Sequence, residues 1–301
     1  MSGAPALLTT EKYRSPLRGA IRTRRPCMIA EDVATQIRFE RASAHIGAYV
    51  HGISLEQPAT PALREALRGA LHENGVLFFE FGQTVTSEQQ ARFTGLFGKL
   101  EIYGFSTSEE KPSEENNAAG CIDAAKQPLR QYRTNMWHTD GTPFECPPEA
   151  AILTCLEAPE LGGGTMWSSM YAAYDALSTH YQRMLDGLQV LHSTMRTPFV
   201  KQYAETVHPA VIRDPVTGRK ALFVNSVYSE RFLDMSEQES DSLMRFLFEH
   251  VNMPEFHVAL RWKQGTVAVW EERVTQHRAV DAFVGPRKLR RLTTKGEKPT
   301  A

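Results

Sequence analysis

From Ala150 onward the chain is a succession of short strand signals broken by turns, and strands and helices do not alternate regularly. Apolar, β-branched and aromatic runs occur at Ala150 to Leu156, Gly164 to Ser168, Val190 to Thr194, Val211 to Arg213, Ala221 to Asn225, Phe256 to Trp262 and Thr266 to Trp270. Asp214 to Arg219 carries proline and glycine where a tight turn wants them, and Lys263-Gln264-Gly265 reads as a second hairpin connection. A doubly wound parallel sheet needs a helical crossover between successive strands. The pattern therefore points to a mainly β fold, a sandwich or jelly roll with flanking helices.

The helices are few and well marked. Thr60-Pro61 opens one, with threonine as cap and proline at the first helical position, and Leu63, Leu67 and Leu71 form its apolar stripe up to Gly75. Val76 to Phe81 follows as a buried strand, after short strands at Ile37 to Phe39 and Gly47 to Ile53. Further helices are expected at Thr86 to Phe97, at Tyr171 to Leu188, and from Ser236 to His250, where Ser236 and Glu239 have capping-box spacing.

Two segments stand apart. Residues 1–36 hold Lys12, Arg14, Arg18, Arg22, Arg24 and Arg25 against few acids and little apolar periodicity, and are expected to be a flexible basic arm. Residues 104–133 are rich in Ser, Glu, Asn, Gly and Lys; a loop of that length in a compact domain is expected to be a lid or binding loop. Between and beyond them, 37–301 is expected to form one domain.

Charge and cysteine content narrow the function. With 34 Lys and Arg against 35 Asp and Glu, the net charge of −1 gives no global reason to bind nucleic acid. No apolar run approaches the ~18–20 residues that span a bilayer, so no membrane partner is expected. Cys27, Cys121, Cys146 and Cys155 are widely spaced with no CxxC pair, which reads as free thiols in the cytoplasm.

Directly after the long loop comes His138-Thr139-Asp140. In extended backbone, residues two apart share a face, so the imidazole and the carboxylate converge. Alone, the pattern is weak. A second piece is Thr165, preceded by Gly162-Gly163-Gly164, and a third is His277, which is followed by Arg287, Lys288, Arg290 and Arg291. Two histidines and one carboxylate can occupy one face of an iron(II) octahedron and leave three positions open. An inward arginine requires an anion, and a planar guanidinium suits a carboxylate.

The order HxD, threonine, distal histidine, arginine resembles the taurine dioxygenase/TfdA-type family of Fe(II)/2-oxoglutarate dioxygenases. Trp137 to Asp140, Pro147-Pro148, Gly162 to Trp167, His208-Pro209, Ala221 to Asn225, Thr275-Gln276-His277 and Gly296 to Pro299 are similar to family segments in family order. The resemblance implies a double-stranded β-helix (jelly-roll) core. It implies that His138, Asp140 and His277 bind Fe(II), that Thr165 and Arg287 hold 2-oxoglutarate, and that O2 is the other cosubstrate. Arg291 matches the arginine that faces the substrate's anionic end. Tyr103, Ser106, Thr134 and Tyr228 fall at pocket positions. A homodimer or homotetramer is expected.

The departures bear on the substrate. The step from His277 to Arg287 is one residue shorter than in taurine dioxygenase, which makes Arg290 a rival. Trp270-Glu271-Glu272-Arg273 stands where the family has Trp-Asp-Asn-Arg. The expected reaction is hydroxylation of a small organic anion, or cleavage following hydroxylation, with release of succinate and CO2. Were Arg291 to pair with Glu271 or Glu272, the substrate could be neutral or cationic. A non-catalytic jelly roll that binds a small anion and a zinc hydrolase are the competing readings.

Overall fold

The computed structural model describes residues 37–101, 120–124, 133–197 and 203–301. Strands β1 (Arg38–Arg41) and β2 (Ala48–His51) lead to helix α1 (Pro61–Asn74), β3 (Val76–Glu80), α2 (Ser87–Thr94), β4 (Gly120–Asp123) and β5 (Ala150–Glu157). Next come β6 (Leu161–Gly162), β7 (Thr165–Ser169), α3 (Met170–Asp175), α4 (Thr179–Leu185) and β8 (Gln189–Ser193). Then follow β9 (Glu205–Pro209), β10 (Val211–Arg213), β11 (Lys220–Leu222), β12 (Ser229–Phe232) and α5 (Glu237–Val251). The chain ends with β13 (His257–Leu260), β14 (Thr266–Glu271), β15 (Thr275–Ala279), β16 (Phe283–Val284) and β17 (Lys288–Thr293).

Seven strands form one sheet in the order β1-β2-β3-β14-β5-β17-β4, and smaller sheets are ordered β13-β7-β15 and β12-β8-β9. Together they make a jelly roll. Alternation along β3 shows why Val76 to Phe79 is apolar throughout. Val76 and Phe78 face the small sheet, where they meet Trp167, Val258 and Leu260, whereas Leu77 and Phe79 face Leu63, Leu67 and Leu71 of α1 and Phe93 of α2. With both faces covered, the only polar position left is the exposed Glu80 at its end. Between the sheets, Phe78 and Trp167 have ring centroids 5.4 Å apart, and Trp167 and Trp270 5.6 Å. Burying each of these large side chains is worth about 1.5–3 kcal/mol, and the wall they make is the floor of the site described below.

The expected helix starts hold. Thr60, Thr86 and Ser236 each accept a backbone N–H three residues on, and the last two complete reciprocal capping boxes. Three expectations are corrected. The helix foreseen over Tyr171 to Leu188 is two helices, because Ser178 caps a new one by accepting the Tyr181 N–H. The strand foreseen over Ala221 to Asn225 ends at Leu222; the Asn225 side chain accepts the N–H groups of Val227 and Tyr228 and turns the backbone there. Lys263 to Gly265 is not a hairpin: β13 pairs with β7, whereas β14 pairs with β3 and β5, so the connection crosses between sheets. Asp214 to Arg219 does join the antiparallel pair β10 and β11. The basic arm, 1–36, lies outside the described residues, as does most of 104–133; the described part of that loop includes β4, which pairs with β17.

A buried charged cluster ties α1 to this frame. His72 Nδ1 lies 3.1 Å from Asp214 Oδ1, and its Nε2 lies 3.5 Å from Glu149 Oε1. Burial opposes the charge on His72, but Asp214, Glu149 and nearby Glu271 outweigh it and raise the imidazole to about 9. A group raised from its ordinary value near 6.5 stabilises the fold fully below that value, and loses the contribution as pH climbs through the folded value. Unfolding free energy should therefore fall by up to about 3 kcal/mol between pH 6.5 and 9, and His72→Gln should flatten that slope in urea titrations. An unchanged slope in the variant would show that His72 does not carry the effect.

Candidate metal centre

His138 and His277 are fixed to each other by backbone. His138 N–H donates to His277 O at 3.1 Å, and His277 N–H donates to His138 O at 2.8 Å. His138 is thus extended without belonging to a longer strand, and the two-residue step to Asp140 works as the sequence implied. Thr139, pointing the other way, donates its hydroxyl to Thr275 O at 2.8 Å. Gly141, at φ +76°, turns the chain away after the carboxylate; a Cβ there would lie 2.4 Å from Pro148 Cδ, so no other residue fits.

The three side chains converge. Their candidate ligand atoms all lie within 4.8 Å of one another. His138 Nε2 is 3.7 Å from Asp140 Oδ1, and His277 Nε2 is 3.6 Å from Asp140 Oδ2. His138 Nδ1 lies 2.7 Å from Met136 O; a proton on Nδ1 completes that hydrogen bond and leaves Nε2 as a bare donor. Burial, helped by the neighbouring His138, holds His277 well below the usual imidazole range, in the neutral form a metal requires. Asp140 is held below the ordinary carboxylate range even though burial acts the other way, because Arg291, His138 and His277 outweigh it. Two imidazoles and an ionised carboxylate fit a divalent transition metal.

Register places the next residues. His277 pairs with Trp167 and Ala279 with Thr165, so Thr165 and His277 point to the same space between the sheets. The Thr165 hydroxyl accepts the Trp262 indole N–H at 3.0 Å, which leaves its own proton to donate. Arg287 is buried and donates Nε–H to Gly163 O at 2.7 Å. Among the described residues no carboxylate pairs with it, and burial pushes it down to about 10. Gly163, at φ +63°, is what admits it: a Cβ there would stand 3.3 Å from Arg287 Cδ and 2.8 Å from Pro159. A buried guanidinium facing no acid is a site made for an anion from outside.

Arg290 is removed as a rival. It lies on the opposite face of β17 and binds Gln90, Ser87 and the Val85 carbonyl. Arg291 faces the centre, yet it has acidic partners: its Nη2 is 2.7 Å from Asp140 Oδ2 and 3.3 Å from Glu272 Oε1. The alternative pairing of Arg291 with Glu272 is therefore present, and its Nε is buried without an acceptor. Tyr228 is buried, and burial together with the Asp140 charge raises its phenol. Thr134 is half-buried and accepts the Ala279 N–H through its carbonyl at 2.7 Å. Tyr103 and Ser106 lie outside the described residues. Sequence reasoning missed Trp262 and Gly163 as partners of the anion pair. It noted Glu272 as a departure and, with Glu271, as a candidate partner of Arg291. The glycine run was the sole visible signal for the first two.

Comparison with known proteins decides the family. The model of the "Taurine catabolism dioxygenase TauD, TfdA family" matches residues 38–293. The chain belongs to the TauD/TfdA family. An alpha-ketoglutarate-dependent sulfate ester dioxygenase from Pseudomonas putida is 31% identical over 88% of this chain and 92% of its own. The alpha-ketoglutarate-dependent dioxygenase cnsP of Penicillium expansum is 32% identical over 85% of this chain and 75% of its own. A crystal structure of a taurine dioxygenase from Burkholderia xenovorans superposes with a TM-score of 0.75 at 32% identity, covering 88% of this chain and 92% of that one. This TauD/TfdA member is an oxidoreductase that depends on Fe(II), 2-oxoglutarate and O2, not a non-catalytic anion binder or a zinc hydrolase. Among its described residues no helix is long and apolar enough to cross a membrane.

Proposed function

We propose that this dioxygenase hydroxylates a carbon next to the anionic head of a small organic sulfate ester, sulfonate or carboxylate. His138, Asp140 and His277 hold the iron. Bound there, the metal couples O2 activation to decarboxylation of 2-oxoglutarate and supplies the oxidising power. The protein's part is placement. Arg287 and the free proton of Thr165 take the far carboxylate of 2-oxoglutarate, and the planar fork of Arg287 fixes its orientation.

The observation that carries the substrate reading is the position of Arg291, whose guanidinium reaches the metal's own carboxylate at 2.7 Å. An anion held by that guanidinium puts the adjoining C–H bond beside the iron. Tyr228 and Thr134 line the approach. The name of the Pseudomonas putida relative supports this head group. A hydroxylated sulfate-bearing carbon then breaks its C–O bond, leaving a carbonyl compound and sulfate; a hydroxylated carboxylate stays intact. A reducing, cytoplasmic setting suits the buried free thiol of Cys155.

The test is succinate release across matched anionic and uncharged substrates. Anionic members should be turned over at least ~10-fold more efficiently, the size of one charge-assisted contact. Turnover confined to the uncharged members would refute the anionic-head reading and leave the reaction class untouched.

A further inference from the structure

Three consecutive residues, Val224, Asn225 and Ser226, tie down the three stretches that carry the candidate ligands. They belong to the turn between β11 and β12. Ser226 donates its hydroxyl to Trp137 O at 2.9 Å, immediately before His138. Asn225 donates from Nδ2 to Thr142 Oγ1 at 3.3 Å, two residues after Asp140. Val224 O accepts the Gln276 Nε2–H at 2.6 Å, immediately before His277. Asn225, Thr142 and Gln276 are buried. Each tie acts on a sequence neighbour of a ligand rather than on the ligand side chain itself.

Asn225 also holds the turn itself. Its Oδ1 accepts the N–H groups of Val227 at 3.2 Å and Tyr228 at 2.9 Å. Two backbone donors on one end of the amide settle which end is oxygen, so the nitrogen is the end that faces Thr142. The Asn225 N–H donates to Ser229 Oγ at 2.9 Å, and its O accepts the Ser229 N–H at 3.1 Å. Between Asp140 and Thr142 stands only Gly141, packed against Pro148. A fixed Thr142 therefore fixes the direction in which the Asp140 side chain leaves the backbone. Other side chains grip the same stretch: His208 Nε2 lies 3.0 Å from Thr142 O and 3.1 Å from Phe144 O, and Thr206 donates its hydroxyl to Pro143 O at 2.9 Å. Loss of Asn225 thus loosens the stretch without releasing it.

The inference rests on the reading that His138, Asp140 and His277 hold the iron. We propose that Asn225 is a positioning residue for that centre: the turn it braces sets the spacing of the three ligand stretches before any metal arrives. Metal donors must stand within about 0.2 Å of their bonding distances. Side chains one step removed from the donors typically account for about 10–100-fold in metal affinity. A stretch that is free to drift must be ordered each time the ion binds, and the entropy lost in that ordering weakens the binding. The ties from Val224, Asn225 and Ser226 place the ordering in the folding of the chain instead.

The experiment titrates chelator-stripped protein with Co(II), whose visible absorption reports both affinity and ligand geometry, and measures Fe(II) affinity by anaerobic dialysis. Asn225→Ala should weaken both metals by about 10–100-fold and shift the Co(II) absorption bands. Thr142→Val removes the acceptor and leaves the Asn225 turn whole; it should weaken them by about tenfold, whereas Thr142→Ser, which keeps the hydroxyl, should stay within about twofold of wild type. Melting curves of the metal-free proteins report folding, and if Asn225→Ala does not fold, the two Thr142 variants decide alone. Wild-type affinity and spectrum in a folded Asn225→Ala or Thr142→Val protein, whatever its melting temperature, would overturn the proposal, as would equal losses in Thr142→Val and Thr142→Ser. If Asp140→Ala bound both metals as tightly as wild type, the ligand reading itself would fall. If Asp140→Ala lost them while the Asn225 and Thr142 variants kept them, the role of Asn225 would fall and the ligand reading would stand.

Discussion

Asp140→Ala, His138→Ala and His277→Ala should each abolish tight Fe(II) binding while leaving the chain folded. Each removes one of three protein donors in a facial set, where the remaining positions are needed by 2-oxoglutarate and O2. Changes to partners one shell further out typically cost 10–100-fold in metal affinity, and loss of a ligand should cost more. Asp140→Ala is the sharpest case. It removes the only carboxylate of the set, but Arg291 keeps Glu272 as a buried partner, so no isolated charge is left behind. His277→Ala opens space against Trp270, whose ring centroid lies 4.8 Å from that of the imidazole, and should cost some stability as well. Metal content after equilibrium dialysis against Fe(II), with circular dichroism on the same samples, is the measurement. Wild-type affinity in the folded Asp140→Ala protein would remove that residue from the centre.

Only the His138–Asp140 part of the candidate centre was local in the sequence, and it took the family resemblance to join His277 to it. His138 and Asp140 sit two residues apart, and the step converges even though only a single bridge to His277 keeps the backbone extended there. What could not be read is whatever depends on residues meeting from afar. The Glu272 carboxylate reaches a backbone amide 132 positions away, and nothing in Trp270-Glu271-Glu272-Arg273 says which acid turns inward. Trp262 meets Thr165 across 97 positions. The connection Lys263 to Gly265 misled for the same reason. A short turn with glycine serves a hairpin and a crossing between sheets alike, and only the partners of β13 and β14 tell them apart. The division between α3 and α4 is different: Ser178 was a local signal, masked by apolar periodicity that continues through it.

Arg287→Met should weaken 2-oxoglutarate by on the order of thirtyfold to several-thousandfold, since removing one partner of a buried charge-assisted pair costs about 2–5 kcal/mol. Arg287→Lys should fall between, because it keeps the charge and loses the planar fork. Thr165→Ala should cost only several-fold, near 1 kcal/mol for one hydrogen bond. The effect on stability should run the other way. Without 2-oxoglutarate, Arg287 is a buried cation that no acid among the described residues offsets, and burial already pushes it down to about 10. Replacing such a charge by an apolar side chain of similar length is commonly neutral or stabilising, against the loss of one hydrogen bond to Gly163 O. The metal-free Arg287→Met protein should therefore melt at or above the wild-type temperature while its KM for 2-oxoglutarate rises. Thr165→Ala should instead lower the melting temperature while weakening 2-oxoglutarate only several-fold, because it strands the buried Trp262 N–H. A guanidinium kept only for packing would lower stability when replaced and leave 2-oxoglutarate use intact; that pair of results would overturn the clamp.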